Sequence, residues 1–306
     1  MIVFHMAPSS NGKTLETKSL FKSGNAGSNP DSASKVKSMQ ESKYLQYLLN
    51  EIGHSVHNLN TIAVALSNLP NSPHVNPALN ITWNPKDLSS SAVNARRFAI
   101  RSAIVLAAET LFEYMYKLSA DPLWQSLNLG LDFRKELASQ DSKAKRFSEI
   151  CKKIPGIDKE WYLLSELLCH WRNRVVHVST SKASLSATDR QYLKSKEEDI
   201  YSKFYHFEIN KTLFDYDADK VTLKETTTLI TFIIMCCREI DKYYLNSISK
   251  CDNILFQDIL VSDQVFQQIL KQPKSSKKNR QISRFLKIKF YYLTEEKIST
   301  ILMKYI

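Results

Sequence analysis

The sequence predicts an all-α protein, and its composition and the spacing of its apolar residues are the two observations that indicate this. Only 6 of the 306 residues are Gly and 9 are Pro, which argues against a loop-rich all-β fold. Several segments place apolar residues three and four positions apart, the spacing that lines one helix face. We expect a disordered tail over residues 1–40, a helical domain over 41–250 and a small basic extension over 251–306.

The N-terminal region changes character near residue 42. Residues 7–40 are rich in Ser, Asn, Gly and Lys and show little periodicity, which is typical of a segment that buries no core. A helix is predicted to begin at Ser42, because apolar residues then recur at helical spacing: Leu45, Leu48, Leu49, Ile52 and Val56. Residues 69–85 are rich in Pro and Asn and interrupt this pattern, and residues 81–83 could be one short strand or loop.

A long helix is predicted from a cap at residues 89–91 to about Leu118. Apolar residues line one side of it: Ile100, Ile104, Ala107, Leu111, Met115 and Leu118. A second apolar set, Val105, Leu106 and Phe112, lies on another side, so we expect this helix at the centre of a bundle. Two acidic residues, Glu109 and Glu113, are embedded in it.

The rest of the chain is also predicted to be mostly helical. We expect helices over residues 142–153, from Asp158 to the region of Val175, over 189–203 and over 224–245. The helix after Asp158 has an apolar stripe formed by Trp161, Leu164, Leu168, Trp171 and Val175. Residues 205–216 are the exception, since we expect a short extended segment there.

The net charge and the cysteines indicate which partners and which cellular compartment to expect. The net charge of +11 favours a polyanionic partner, either nucleic acid or an acidic membrane surface. The 5 cysteines are odd in number and show no C-x-x-C spacing, which is typical of reduced thiols in the cytoplasm. No segment is long and apolar enough to predict a membrane span, and Met1–Met6 is too short for a signal-peptide core. We therefore predict a cytoplasmic protein with no membrane partner.

The motif most suited to catalysis in this sequence is formed by Arg172, Asn173 and His177. Arginine holds phosphate oxygens with a charged, forked group, and histidine transfers protons near neutral pH. Asparagine both donates and accepts hydrogen bonds, so it can orient a phosphate, a ribose hydroxyl or the imidazole. Together they suit attack by a ribose 2′-hydroxyl on the neighbouring phosphodiester, a reaction that needs an acid, a base and positive charge but no metal.

The motif requires a helix end. On an ideal helix Asn173 and His177 share a face, whereas Arg172 and His177 lie about 140° apart. The two side chains converge only if the helix bends or ends near Val175 and Val176, and the Ser/Thr-rich sequence that follows His177 favours such an end.

This motif resembles the R-x(4–6)-H motif of HEPN domains, in which a polar residue commonly follows the Arg. The segment AIRSAIVLAAETLFEYMYKL also resembles their first core helix, which is often apolar with an embedded acidic residue. The resemblance covers about residues 90–248 and implies a four- to five-helix bundle that pairs as a homodimer with both motifs in one cleft. It also implies metal-independent RNA endonuclease activity in a toxin–antitoxin, abortive-infection or other defence system.

The resemblance assigns roles to individual residues. Arg172 would stabilise the scissile phosphate, Asn173 would position it, and His177 would be the general base or acid. Glu109 or Glu113 would orient the Arg or the His, with Arg174 as a further supporting residue. HEPN toxins regulated by a nucleotidyltransferase carry Tyr two positions after the motif His, but this chain has Ser179, so that regulation is not predicted.

The C-terminal extension contains a strongly basic segment that could bind nucleic acid. Residues 271–289 hold eight basic residues and no acidic one, and the candidates for nucleic-acid binding are Lys274, Lys277, Lys278, Arg280 and Arg284. Aromatic residues interleave with them and could stack on unpaired bases: Phe285, Phe290, Tyr291 and Tyr292. The alternative is a solvated linker followed by one amphipathic helix.

The sequence therefore predicts a metal-independent RNA endonuclease, with RNA, a second copy and an antitoxin or sensor protein as partners. The alternative is a catalytically inactive HEPN-like nucleic-acid-binding or scaffold subunit, in which Arg172 and Arg174 form a solvated basic helix end. No cofactor is predicted. His54 and His57 lie one turn apart but have no third ligand in the sequence, so no metal site is predicted.

Overall fold

The computed structural model describes residues 41–70, 73–121, 123–124, 142–177, 184–249, 253–290 and 293–305, all within the unit Met39–Ile306. These residues form α-helices and loops, with a 3₁₀ turn at Pro77–Leu79 and no β-strand among them. The all-α prediction is confirmed for them. The predicted tail over residues 1–40 lies outside the described residues, and so do Ser179, Cys251, Tyr291 and Tyr292.

Twelve α-helices are present in the described parts of the chain, more than the four to five that the resemblance implies. In order they are α1 (Lys43–Ser67), α2 (Leu88–Ser119), α3 (Lys143–Lys152), α4 (Lys159–Val176), α5 (Ala187–Ser195), α6 (Glu197–Lys203), α7 (Ile209–Asp217), α8 (Leu223–Ser249), α9 (Asn253–Ser262), α10 (Gln264–Leu270), α11 (Ser276–Lys289) and α12 (Glu295–Leu302).

Five of the helices in the described residues build the main core. Helix α4 packs against α2, α3 and α8, and α1 packs against α2 and α8. Fully buried residues from three of these helices, among them Leu111, Leu164 and Ile233, supply the apolar area whose removal from water stabilises the fold. Because α2 and α4 lie side by side, Glu109 of α2 can reach the end of α4.

Residues 81–83, for which both a strand and a loop were open, form a loop. Two other local expectations are wrong. Residues 189–203 are divided at Lys196 into α5 and α6. The extended segment expected over residues 205–216 is instead mostly helix α7. Its buried residues Ile209, Leu213 and Tyr216 are spaced by four and three, which places them on one helix face.

Helices α9 to α12 pack on one another in sequence order, and α12 also returns to α9. Aromatic and aliphatic side chains from all four are buried between them: Phe256, Leu260, Phe266, Ile282, Leu286, Ile298 and Ile301. None of the helices in the described part of the chain is both long and apolar enough to cross a membrane.

A buried carboxyl group joins the first helix to α8. Asp241 accepts hydrogen bonds from the backbone N–H of Ser42, at 2.9 Å, and from its hydroxyl. The Ser42 hydroxyl oxygen also accepts from the N–H of Leu45 and so caps α1. Burial raises the pKa of Asp241 to about 6 against these hydrogen bonds, with a smaller contribution in the same direction from Glu41.

This raised pKa predicts a pH-dependent stability. Between the unfolded pKa of about 3.9 and the folded pKa, the folded chain binds more protons at this carboxyl than the unfolded chain. The Asp241 contribution to the free energy of unfolding should therefore rise by about 1 kcal/mol as the pH falls from about 7 to about 5. In Asp241→Asn this contribution should vanish. Urea titrations of both proteins at the two pH values measure it, and an identical pH difference in both would contradict the assignment.

Candidate active site

The predicted motif lies at the C-terminal end of α4. The helix ends at Val176, and His177 leaves it with φ −118° and ψ 84° while its N–H donates to the carbonyl of Asn173 at 2.9 Å. The predicted helix end is thus present. It brings His177 Nε2 to 3.4 Å from Arg172 Nη1, which also donates to Asn173 Oδ1 at 3.1 Å. The three candidate residues are therefore in contact.

Glu109 of α2 completes the cluster. One of its carboxylate oxygens forms an ion pair with Arg172 Nη2, and the other lies 4.0 Å from Lys143 Nζ of α3. The Arg172 side chain is only 14 % exposed, whereas Glu109 is 43 % exposed and His177 is also exposed. The guanidinium is therefore held from a neighbouring helix at the edge of an open surface, a geometry suited to binding a phosphate.

Glu113, the other acidic candidate, is not brought to the cluster. It accepts a hydrogen bond from the Tyr47 hydroxyl at 2.7 Å and pairs with Lys117 at 2.8 Å. The hydrogen bond from Lys117 lowers the pKa of Glu113, and the hydrogen bond to Glu113 raises the pKa of Tyr47 to about 12. Glu113 therefore joins α1 to α2.

Arg174 also has a structural contact. Its guanidinium lies 3.6 Å from the ring centroid of Tyr216 and donates to the carbonyl of the same residue. Trp171 packs edge-on against that ring at 5.2 Å, and burial raises the pKa of Tyr216 to about 12. These contacts fix the end of α4 against α7 and so hold the motif in place.

An exposed apolar groove lies beside the cluster. It has a volume of about 490 Å³ and is lined by Phe98, Arg101, Ser102, Val105, Leu106 and Val175. Phe98 is 74 % exposed and Leu106 is 54 % exposed. The second apolar side of α2 was predicted to be buried at the centre of a bundle. In the structure the first side packs into the core, whereas on the second side Leu106 is exposed and Val105 and Phe112 are half-buried.

A buried polar cluster that sequence analysis missed lies between α3 and α4. Ser148 donates to one oxygen of Glu166, and His170 Nε2 lies 3.2 Å from the other. The spacing of Glu166 and His170 by four residues is the signal that could have indicated a contact. All three side chains are buried, so they support the helix that carries the motif rather than meet a substrate.

The remaining candidates lie elsewhere. His54 and His57 are exposed, and no group of three His, Cys, Asp or Glu that could hold a metal ion occurs among the described residues. Lys274, Lys277, Arg280 and Arg284 are exposed on or next to α11, but Lys278 is buried. Its ammonium group donates to the carbonyls of Leu270, at 2.6 Å, and Gln272, at 3.0 Å, so Lys278 does not face solvent as a binding residue would.

Comparisons of the chain with protein-family models, with curated proteins and with solved structures give no match.

Proposed function

We propose that this chain is a metal-independent RNA endonuclease of the HEPN class that acts as a toxin or defence effector. The observation that carries the proposal is the contact of Arg172, Asn173 and His177 at an exposed helix end, with Glu109 fixing the guanidinium. The cluster offers one acid–base group and a fixed positive charge, two of the groups that RNA cleavage by its own 2′-hydroxyl needs. The class and the biological role follow from the resemblance of the motif.

The reaction assigns each group a step. A base removes the proton of the 2′-hydroxyl, and the 2′-oxygen forms a bond to phosphorus. The bond from phosphorus to the 5′-oxygen then breaks, and an acid protonates that oxygen. Arg172 stabilises the negative charge on the phosphate oxygens, Asn173 orients the phosphate, and His177 is the base or the acid. The products are a 2′,3′-cyclic phosphate and a 5′-hydroxyl.

A second copy of the chain would supply the other proton-transfer group. One copy offers one imidazole in the cluster, whereas the reaction needs an acid and a base. The apolar groove beside the cluster, with Phe98 and Leu106 exposed, is the surface we assign to the partner subunit. Pairing there would place His177 of the partner subunit near the same phosphate.

Incubation of the purified protein with total RNA, with and without EDTA, tests the activity directly. The wild type should cut RNA at the same rate in both conditions, and His177→Ala should cut at least about 100-fold more slowly. Circular dichroism should show unchanged helicity in the variant. Equal cleavage by wild type and variant would remove the proposal.

The two acidic residues of α2 provide a matched pair for a second test. Glu109→Gln keeps the side-chain shape but removes the charge that holds Arg172, so kcat should fall by about 10-fold or more with a smaller change in KM. Glu113→Gln, one turn along the same helix, should change kcat by less than about 2-fold, because Glu113 contacts Tyr47 and Lys117. Equal effects of the two changes would contradict a positioning role for Glu109.

The second candidate function is a catalytically inactive subunit that binds nucleic acid in a defence or regulatory complex, with an antitoxin or sensor protein as its partner. The exposed basic residues of α11 favour it, since they do not depend on the motif. This candidate predicts RNA binding by a wild-type protein that cuts no RNA, and binding that is unchanged in His177→Ala.

A further inference from the structure

Helix α11 has two faces of opposite character. One face of the helix is buried against α10 and α12. It consists of Ile282, Leu286 and the residue directly after the helix, Phe290, each of which is at most 1 % exposed. Another face carries the exposed residues Lys277, Arg280 and Arg284. Spaced by three and four, they lie within about 60° around the helix axis and span about 10 Å along it. We call these three residues the α11 basic face.

The charges of the α11 basic face are not neutralised by acidic neighbours in the described part of the chain. There, the ion pairs of this helix are those of Lys287 with Glu295 and of Lys289 with Asp263. Arg280 Nε donates to the carbonyl of Ser276 at 3.4 Å, a bond at the exposed surface that leaves its positive charge without an acidic partner. The charges of the α11 basic face can therefore meet an external anion, and a row of cations at this spacing suits a polyanion with regularly repeated charges.

Two further observations distinguish among a membrane surface, unpaired nucleic acid and duplex nucleic acid as the polyanion. A helix that binds a membrane surface inserts an exposed apolar face, but Ile282, Leu286 and Phe290 are buried within the helical unit and Ile288 is the one large apolar residue of α11 that is exposed. Proteins that hold unpaired nucleic acid add exposed aromatic rings for base stacking. Here Phe285 packs on Phe266 at 5.3 Å between ring centroids, and Phe290 packs on Phe256 at the same distance. Of the aromatic candidates that the structure describes, Phe290 is therefore buried and Phe285 is half-buried, so neither offers an open ring face for a base.

We infer that the α11 basic face binds the phosphate backbone of double-stranded RNA without reading its sequence. The choice of RNA as the ligand rests on the proposed function. A base-paired segment is then the part of the RNA substrate that the α11 basic face holds. Backbone contacts of this kind release counterions, so binding weakens steeply with salt.

The test uses the full chain with His177→Ala as background, so that bound RNA stays intact. Fluorescence anisotropy would measure its affinity for an RNA duplex of about 20 base pairs between about 50 and 200 mM salt. Lys277→Gln, Arg280→Gln and Arg284→Gln together should weaken binding by at least about 10-fold and reduce the salt slope by about 2 to 3. The control, Lys86→Gln, Lys194→Gln and Lys220→Gln, removes the same charge from exposed positions elsewhere and should change affinity by less than about 3-fold.

Three results would overturn the inference: equal weakening by both triple variants, tighter binding to single-stranded RNA of the same length, or preferential binding to phosphatidylserine vesicles. The outcome is separable from that of the nuclease proposal. If the wild type binds duplex RNA through α11 but cuts no RNA, the nuclease proposal alone fails. If the wild type cuts RNA and the α11 triple variant binds duplex normally, this inference alone fails.

Discussion

Replacement of Arg172 by Ala is expected to lower the rate of RNA cleavage by about 1000-fold or more while the protein stays folded. The guanidinium contacts Asn173, His177 and Glu109 at once, so its loss removes both the positive charge and the group around which the cluster is arranged. Loss of a fixed charge that stabilises a transition state typically costs this much. Single-turnover cleavage of a labelled RNA measures the chemical step directly.

Two further substitutions make this prediction specific. Arg172→Lys keeps a positive charge but not the fork that meets Glu109 and a phosphate together, so it should restore little activity. Arg174→Ala removes a neighbouring guanidinium that instead packs on Tyr216. It should lower the free energy of unfolding by about 1 kcal/mol, with a smaller loss of cleavage rate than Arg172→Ala. If Arg174→Ala were the more damaging change for cleavage, Arg172 would not be the catalytic arginine.

The second large effect is expected at the apolar groove of α2. Phe98→Glu with Leu106→Glu places two charges on the surface assigned to the partner subunit, and burying unpaired charges there would prevent pairing. Sedimentation velocity should show a dimeric wild type and a monomeric double variant. Cleavage should fall in parallel by at least about 100-fold, because each site would lose its second proton-transfer group.

Met303→Glu is the control for this change. Met303 is 76 % exposed, comparable to Phe98 at 74 %, but it lies just beyond α12 in the C-terminal helices. It should leave both the oligomeric state and the cleavage rate unchanged. A wild-type protein that cuts RNA as a monomer would show that the groove has another role.

The candidate site could be predicted from the sequence to the extent that it is local. Arg172, Asn173 and His177 lie within six residues, and the Ser/Thr-rich sequence after them indicated the helix end that brings them together. The choice between Glu109 and Glu113 could not be made from the sequence. Both are embedded in α2 one turn apart, and only the rotation of α2 against α4 determines which carboxylate reaches Arg172.

The wrong expectations have different physical causes. Leu106 was expected inside because apolar residues populate two sides of α2, yet it is 54 % exposed. Lys278 was expected to be a binding residue like its basic neighbours. Its ammonium group instead donates to the carbonyls of Leu270 and Gln272, just before α11. Within residues 205–216 the apolar residues Ile209, Leu213 and Tyr216 have the spacing of one helix face. The other aromatic residues of the segment made this spacing hard to recognise in the sequence.

Cleavage of two matched RNA oligonucleotides, one all-ribose and one with a single 2′-deoxyribose at the cut nucleotide, tests the central claim most directly. With EDTA present, the account predicts that the all-ribose strand is cut to a 2′,3′-cyclic phosphate and a 5′-hydroxyl, while the deoxy-substituted strand stays intact at that position. Cutting of both strands at equal rates would contradict the account, because the 2′-hydroxyl would then not be the nucleophile.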